Sequence, residues 1–185
     1  MTSTSQLVFL ALPTILGATL GTGCYDGPSP SAAVAWKVRC PSCSFDARVI
    51  DGANGSGGSR VDCTIDPAGN GQVSLYLLAS QPGAYGIEVR GAVVSRSGGT
   101  IEPGTCDFHL QEDASYEAEC GSQPPSADQP CQFTDLAIDG DKVAGKFLCN
   151  EIISPVLGAG SYRDVASATD STQPASFTFD HCEVR

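Results

Sequence analysis

Nine cysteines in 185 residues constrain this chain more than any other feature. Eight of them (Cys40, Cys43, Cys63, Cys106, Cys120, Cys131, Cys149 and Cys182) are spread through the body of the sequence. The ninth, Cys24, stands apart at the end of an uncharged apolar leader. An even set at irregular spacing in an exported chain reads as a disulfide framework, and such bonds persist in oxidising compartments. The set therefore predicts a turn-rich domain stapled across its strands, with one cysteine left over.

The leftover cysteine lies where processing is expected. Leu7 to Leu20 (LVFLALPTILGATL) is apolar, contains Pro13 and falls short of the roughly 20 residues that span a bilayer comfortably. It fits the apolar core of a signal peptide over residues 1–23. The junction Leu20-Gly21-Thr22-Gly23-Cys24 resembles the bacterial lipobox, in which signal peptidase II cuts before a cysteine that carries a diacylglyceryl group. In that family the third residue before the cysteine is usually Leu, whereas here it is Gly21, and the segment before the apolar run has no Lys or Arg. The resemblance implies lipidation at Cys24 and a membrane partner reached through that lipid; ordinary secretion with a disulfide-bonded Cys24 is the rival. Residues 24–33 include the Gly-, Pro- and Ser-rich run YDGPSPSAA and read as a flexible tether. Residues 34–185 are expected to form one domain, a length sufficient to bury a core.

Hydrophobic content of 41% against 17% charged residues suits a folded body rather than disorder. With 21 Gly and 12 Pro, turns are expected to be frequent and helix scarce. A net charge of −11 with no run of Lys and Arg excludes nucleic acid as a partner and suits a soluble surface.

Short alternating segments separated by turn signals predict an all-β fold: an antiparallel β-sandwich or partly open barrel, disulfide-stapled, with long loops. Val34, Trp36 and Val38 alternate with Ala35, Lys37 and Arg39. Phe45 to Ile50 and Val61 to Asp66 follow as strands around the glycine-rich loop 51–59. Gln72 to Ser80 is apolar on both parities and reads as a strand covered on both faces. Pro82-Gly83 suits a type II turn, and the returning strand carries Tyr85, Ile87, Val89 and Val93 on one face against Glu88, Arg90 and Ala92. Residues 151–176 are the least regular stretch, with 163–168 a possible helical turn or two.

Two cysteine pairs follow from hairpin register. A hairpin centred on Asp113 sets Cys106 opposite Cys120, and a three-residue turn centred on Gly140 sets Cys131 opposite Cys149. The layout of the body resembles exported lipoproteins of myxobacterial type and, distantly, small mycobacterial lipoprotein antigens, in which an early strand cysteine pairs with one near the C-terminus. That resemblance implies Cys63–Cys182, carried by VDCTI and FTFDHC. Cys63 shares parity with Val61 and Ile65, but Cys182 shares parity with Thr178 and Asp180, so the pairing needs a bulge near Asp180. Cys40–Cys43 remains by elimination.

Motifs that carry chemistry are scarce in this sequence. Cys40-Pro41-Ser42-Cys43 is a CxxC between strands, without the helix N-terminus that activates redox thiols. Zinc held by Cys40, Cys43, His181 and Cys182 would lack a second tight ligand pair. His109 sits on the polar parity of its strand and reads as a solvated surface residue; His181 shares parity with Phe177 and Phe179 and reads as partly buried. No GxSxG, HExxH, P-loop or dinucleotide fingerprint occurs. Asp139-Gly140-Asp141 is too short for a calcium loop. No catalysis, metal or cofactor is expected. The function expected is that of an outer-membrane or cell-surface lipoprotein with a structural, binding or surface-interaction role toward an unidentified envelope protein or glycan. The alternative is a carbohydrate- or ligand-binding module with an exposed aromatic cluster that includes Trp36, Tyr76 or Tyr85; a Trp36 on an apolar strand face favours the core.

Overall fold

The computed structural model describes residues 27–40, 43–44, 46–157 and 162–185. Alternation of apolar and polar residues produces strands β1 (Ser31–Cys40), β2 (Cys43–Ser44), β3 (Arg48–Ala53), β4 (Arg60–Gly69), β5 (Gln72–Gln81), β6 (Tyr85–Ser95) and β7 (Cys106–Gln111). They continue as β8 (Ser115–Gly121), β9 (Cys131–Asp139), β10 (Lys142–Ile153), β11 (Tyr162–Ser167), β12 (Ala175–Asp180) and β13 (Glu183–Val184). A single 3-10 turn, Ser56–Gly58, is the only helical element among the described residues. The all-β expectation holds. β1 begins at Ser31, so residues 31–33 belong to the sheet and not to the tether, with Ala32 already buried.

The strands form one continuous sheet from β3 and β1 through β10, β9, β8, β7, β6, β5 and β4 to β13. β12 and β11 lie end to end in one lane between β1 and β10. β12 pairs with residues 31–35 and 143–147, and β11 with residues 36–39 and 149–153. Tyr162–Ser167 is thus a strand, not the helical turn expected there. Pairing is antiparallel except at two short junctions, β8–β9 and β13–β4. The sheet curls so that one face lines a single core. At its centre Phe133 contacts Phe108, Phe147 and Phe177 at ring separations of 6.1, 5.8 and 5.9 Å.

Turns and bulges set the register. Ala84 N–H donates to Gln81 O at 3.0 Å and Gly83 has φ 77°, the geometry of a type II turn at Pro82-Gly83. β5 buries one face only: Val73, Leu75, Leu77 and Ala79 point inward while Ser74, Tyr76, Leu78 and Ser80 are half-buried. On β6 the inward face changes parity. Leu75 pairs with Ala92 but Tyr76 with Arg90, so Gly91, at φ 70°, is an extra residue. Ile87 and Val89 are buried before it, Ala92 and Val94 after it, and Val93 turns outward, contrary to a simple alternation.

Candidate functional site

Three of the four expected cysteine pairs are present among the described residues. Cys63–Cys182, Cys106–Cys120 and Cys131–Cys149 are disulfides with Cα separations of 4.7, 5.0 and 4.1 Å. These bonds mark a protein of an oxidising, non-cytoplasmic compartment. Cys40 is also disulfide-bonded and sits in register opposite Cys43, whose side chain lies outside the described residues. Cys24, the expected lipidation site, and the leader lie outside them too. With Cys182 bonded to Cys63, the four-ligand zinc set considered above does not exist. Among the described residues no group of three or more His, Cys, Asp or Glu side chains is placed to hold a metal ion.

The parity conflict at Cys182 is resolved by His181. It adopts φ 60°, which rotates the chain after β12 so that Cys182 turns inward and is buried. His181 is thereby displaced outward, 43% exposed, with Nδ1 3.2 Å from Asp141 Oδ2. Trp36 is completely buried, edge-on to Tyr85 at 5.8 Å. Tyr85 is in turn covered by the Arg48 guanidinium, 5.0 Å above its ring. Two of the three aromatic residues expected for a sugar platform are therefore occupied by packing.

The outer face of β5–β8 carries a groove that gathers ionisable side chains in register. Leu78, Glu88, His109 and Glu117 form one cross-strand row, flanked by the row Ser80, Gly86, Gln111 and Ser115. The resulting cavity measures about 270 Å³. Its depth depends on Gly86, where a Cβ would approach Ser80 Cβ to 2.5 Å. Glu88 Oε2 accepts from Arg90 Nη2 at 2.7 Å. Burial pulls the Glu88 carboxyl upward, but hydrogen bonds from Arg90 and Tyr76 outweigh it and hold the group below its ordinary range. Burial, reinforced by Glu88, pushes the Tyr76 hydroxyl up to about 12. His109 Nδ1 lies 3.5 Å from Glu117 Oε1 and is 21% exposed, so it faces outward as expected but is walled in by its neighbours. The arrangement offers fixed charge and hydrogen-bonding groups.

A second polar cluster, at the β7–β8 turn, was not legible in the sequence. Glu112 and Asp113 are consecutive, yet each holds an arginine from a distant strand. Arg48 Nε and Nη2 both donate to Glu112 Oε2 at 3.0 Å, and Arg163 Nη2 donates to Asp113 Oδ2 at 2.8 Å. Tyr116 Oη donates to Asp113 Oδ1 at 2.9 Å, and Arg163 also stacks over the Tyr116 ring. This cluster clasps the β7–β8 turn to β3 and β11. No protein-family model, curated protein or solved structure matches the chain.

Proposed function

We propose that this chain is an exported lipoprotein, tethered to a membrane of the cell envelope by lipid on Cys24, whose stapled β domain acts by binding and not by catalysis. The observation that carries the reading is the division of the cysteines. Seven of the eight in the body are disulfide-bonded, and the eighth, Cys43, faces the disulfide-bonded Cys40 in register. Cys24 is the ninth and lies outside the body, where it follows an apolar leader in a lipobox-like junction. Several acyl chains on one cysteine would make the anchor effectively permanent. The resemblance to exported lipoproteins supports the same assignment.

The binding surface in this reading is the groove of Glu88, His109 and Glu117. Ionisable groups held in cross-strand register suit recognition of a polar partner, such as an envelope protein or glycan. For a glycan, Tyr76 is the aromatic residue beside the groove, Trp36 and Tyr85 being committed to packing. Metabolic labelling with a fatty-acid probe tests the anchor: the wild-type chain should incorporate label and Cys24→Ala should not. Equal incorporation in both would overturn the assignment.

A further inference from the structure

The two central disulfides are parts of a single row. Cys106 pairs in register with Cys120, Cys120 with Cys131, and Cys131 with Cys149, across four adjacent strands β7, β8, β9 and β10. Residues directly opposite one another in adjacent strands project from the same face, and all four cysteines are buried on the core side. The bonds join the outer pairs, Cys106–Cys120 and Cys131–Cys149. The central neighbours, Cys120 and Cys131, meet at the parallel β8–β9 junction, which consists of two residue pairs. Adjacent strands lie about 4.7–4.9 Å apart, within the roughly 4.4–6.8 Å Cα separation over which a disulfide forms. The register thus allows a third pairing, Cys120–Cys131, that the oxidised state leaves unused.

We infer that these four cysteines form an exchange-coupled redox relay in which reduction of either outer bond converts the row to a single central Cys120–Cys131 disulfide. A dithiol reductant passes two electrons and two protons to Cys106–Cys120 and leaves as its cyclic disulfide, so that Cys106 and Cys120 become thiols. The Cys120 thiol loses its proton to solvent, and its thiolate attacks Sγ of Cys131. The Cys120–Cys131 bond forms, the Cys131–Cys149 bond breaks, and Cys149 leaves as a thiolate that takes up a proton. This second step is an isomerisation with no net electron transfer. Entry through Cys131–Cys149 is the mirror image: the Cys131 thiolate attacks Cys120 and releases Cys106. Both routes end with Cys106 and Cys149 as thiols, and the two hairpins, each previously closed on itself, are joined across the parallel junction. Because the thiolate is the attacking species, conversion should accelerate about tenfold per pH unit below the thiol pKa.

The test is graded reduction of the native, full-chain protein with dithiothreitol, followed by acid quenching, alkylation and peptide mapping. Cleavage before Asp107, Asp113, Asp128, Asp135 and Asp141 places the four cysteines on separate peptides. The inference requires a two-electron-reduced species in which peptides containing Cys120 and Cys131 are linked while Cys106 and Cys149 are alkylated. Partially reduced species holding only the original pairs would overturn it. An independent arm uses C106S/C149S produced in an oxidising compartment. Cys120 and Cys131 should be recovered linked and unreactive to alkylation; folded protein with both alkylated would overturn the inference, and if the variant does not fold the reduction series decides alone.

Discussion

Arg48 and Glu112 form a two-point ion pair in which the carboxylate is almost wholly withdrawn from solvent, 1% exposed against 23% for the arginine side chain. Burial pushes the Glu112 carboxyl above its ordinary range even though Arg48 opposes the shift. Removing the arginine alone strands a buried charge. Arg48→Met should therefore cost about 3 kcal/mol at pH 7, the lower end for a broken buried pair because Arg48 is partly exposed. Glu112→Leu on that background should recover most of the loss, since a well-packed apolar pair is often neutral in place of a buried ion pair. Urea denaturation of the two single variants and the double variant checks the cycle; additive losses would contradict a coupled pair.

Asp113, the next residue, should have the opposite pH signature. Burial pulls its carboxyl upward, but Arg163 and Tyr116 outweigh burial and leave it below its ordinary range. A carboxyl lowered in the folded state contributes stability above its unfolded pKa, and that contribution is lost as pH falls through the folded pKa. Glu112, raised in the folded state, binds its proton more readily when folded, so its contribution improves as pH falls into the interval above its ordinary value. Asp113→Asn should cost on the order of 1 kcal/mol at pH 7, discounted because the side chain is 41% exposed. The cost should vanish in strong acid. The penalty of Arg48→Met should also narrow on acidification, since protonating Glu112 removes the stranded charge. Denaturation midpoints of both variants from pH 7 to pH 3 test this; a penalty for Asp113→Asn that grows on acidification would contradict it.

What the sequence revealed and what it hid divide along one physical line. Period-two patterning exposed the strands because each buries one face of a curled sheet, and turn residues such as Pro82-Gly83 and Asp139-Gly140-Asp141 exposed the hairpins. Parity changes within a strand stayed hidden. At Gly91, Asp135, Glu151 and His181 a left-handed residue interrupts the alternation, with φ of 70°, 53°, 55° and 60°. A lone Asp, Glu or His inside an alternating strand pattern does not by itself mark a left-handed residue, so three of these gave no warning. The Cys131–Cys149 expectation was right through two offsetting departures. The hairpin turn has two central residues, with Asp139 opposite Lys142, and the bulge at Asp135 then restores the register to Cys131 opposite Cys149. The ion pairs of Glu112 and Asp113 were invisible because Arg48 and Arg163 reach them from remote strands.

His181 illustrates how one backbone conformation decides a staple. A β-branched residue at φ 60° is strongly disfavoured, so His181→Val should lower stability by about 1–2 kcal/mol. It should also slow oxidative closure of Cys63–Cys182 by turning Cys182 outward. His181→Gly should stay within about 0.5 kcal/mol of wild type, because glycine accepts this conformation and the exposed Asp141 contact contributes little. Refolding from the reduced state, followed by thiol titration, separates the two variants. Equal closure rates would show that the left-handed turn is not what aims Cys182.

Gly145 lies opposite the Asp135 bulge and makes room for it. A Cβ there would sit 2.8 Å from Phe177 Cζ and 2.9 Å from Leu136 Cδ2. Leu136 is the residue that the bulge turns inward, and Phe177 belongs to the central aromatic cluster. Gly145→Ala should therefore destabilise by about 1–3 kcal/mol through overpacking, although alanine ordinarily suits a strand better than glycine. Leu136→Ala on that background should recover part of the loss by vacating the space. A neutral Gly145→Ala in thermal denaturation would mean that the core yields at this point.

The staples should contribute unequally, because they close loops of different length. Cys63–Cys182 spans 119 positions and Cys106–Cys120 spans 14. On the chain-entropy account these correspond to about 4.9 and about 3.0 kcal/mol, a difference of about 1.9 kcal/mol. The comparison is informative because all four cysteines are buried in the same core, so the desolvation and packing losses on replacement are similar. C63A/C182A should therefore unfold at a clearly lower urea concentration than C106A/C120A. The ordering should persist when both variants are compared at equal slope of free energy against denaturant. A reversed order would show that local hairpin packing, and not restriction of the unfolded chain, governs what these bonds contribute. That outcome would also weaken the expectation that the long-range bond, and through it His181, dominates the stability of the domain.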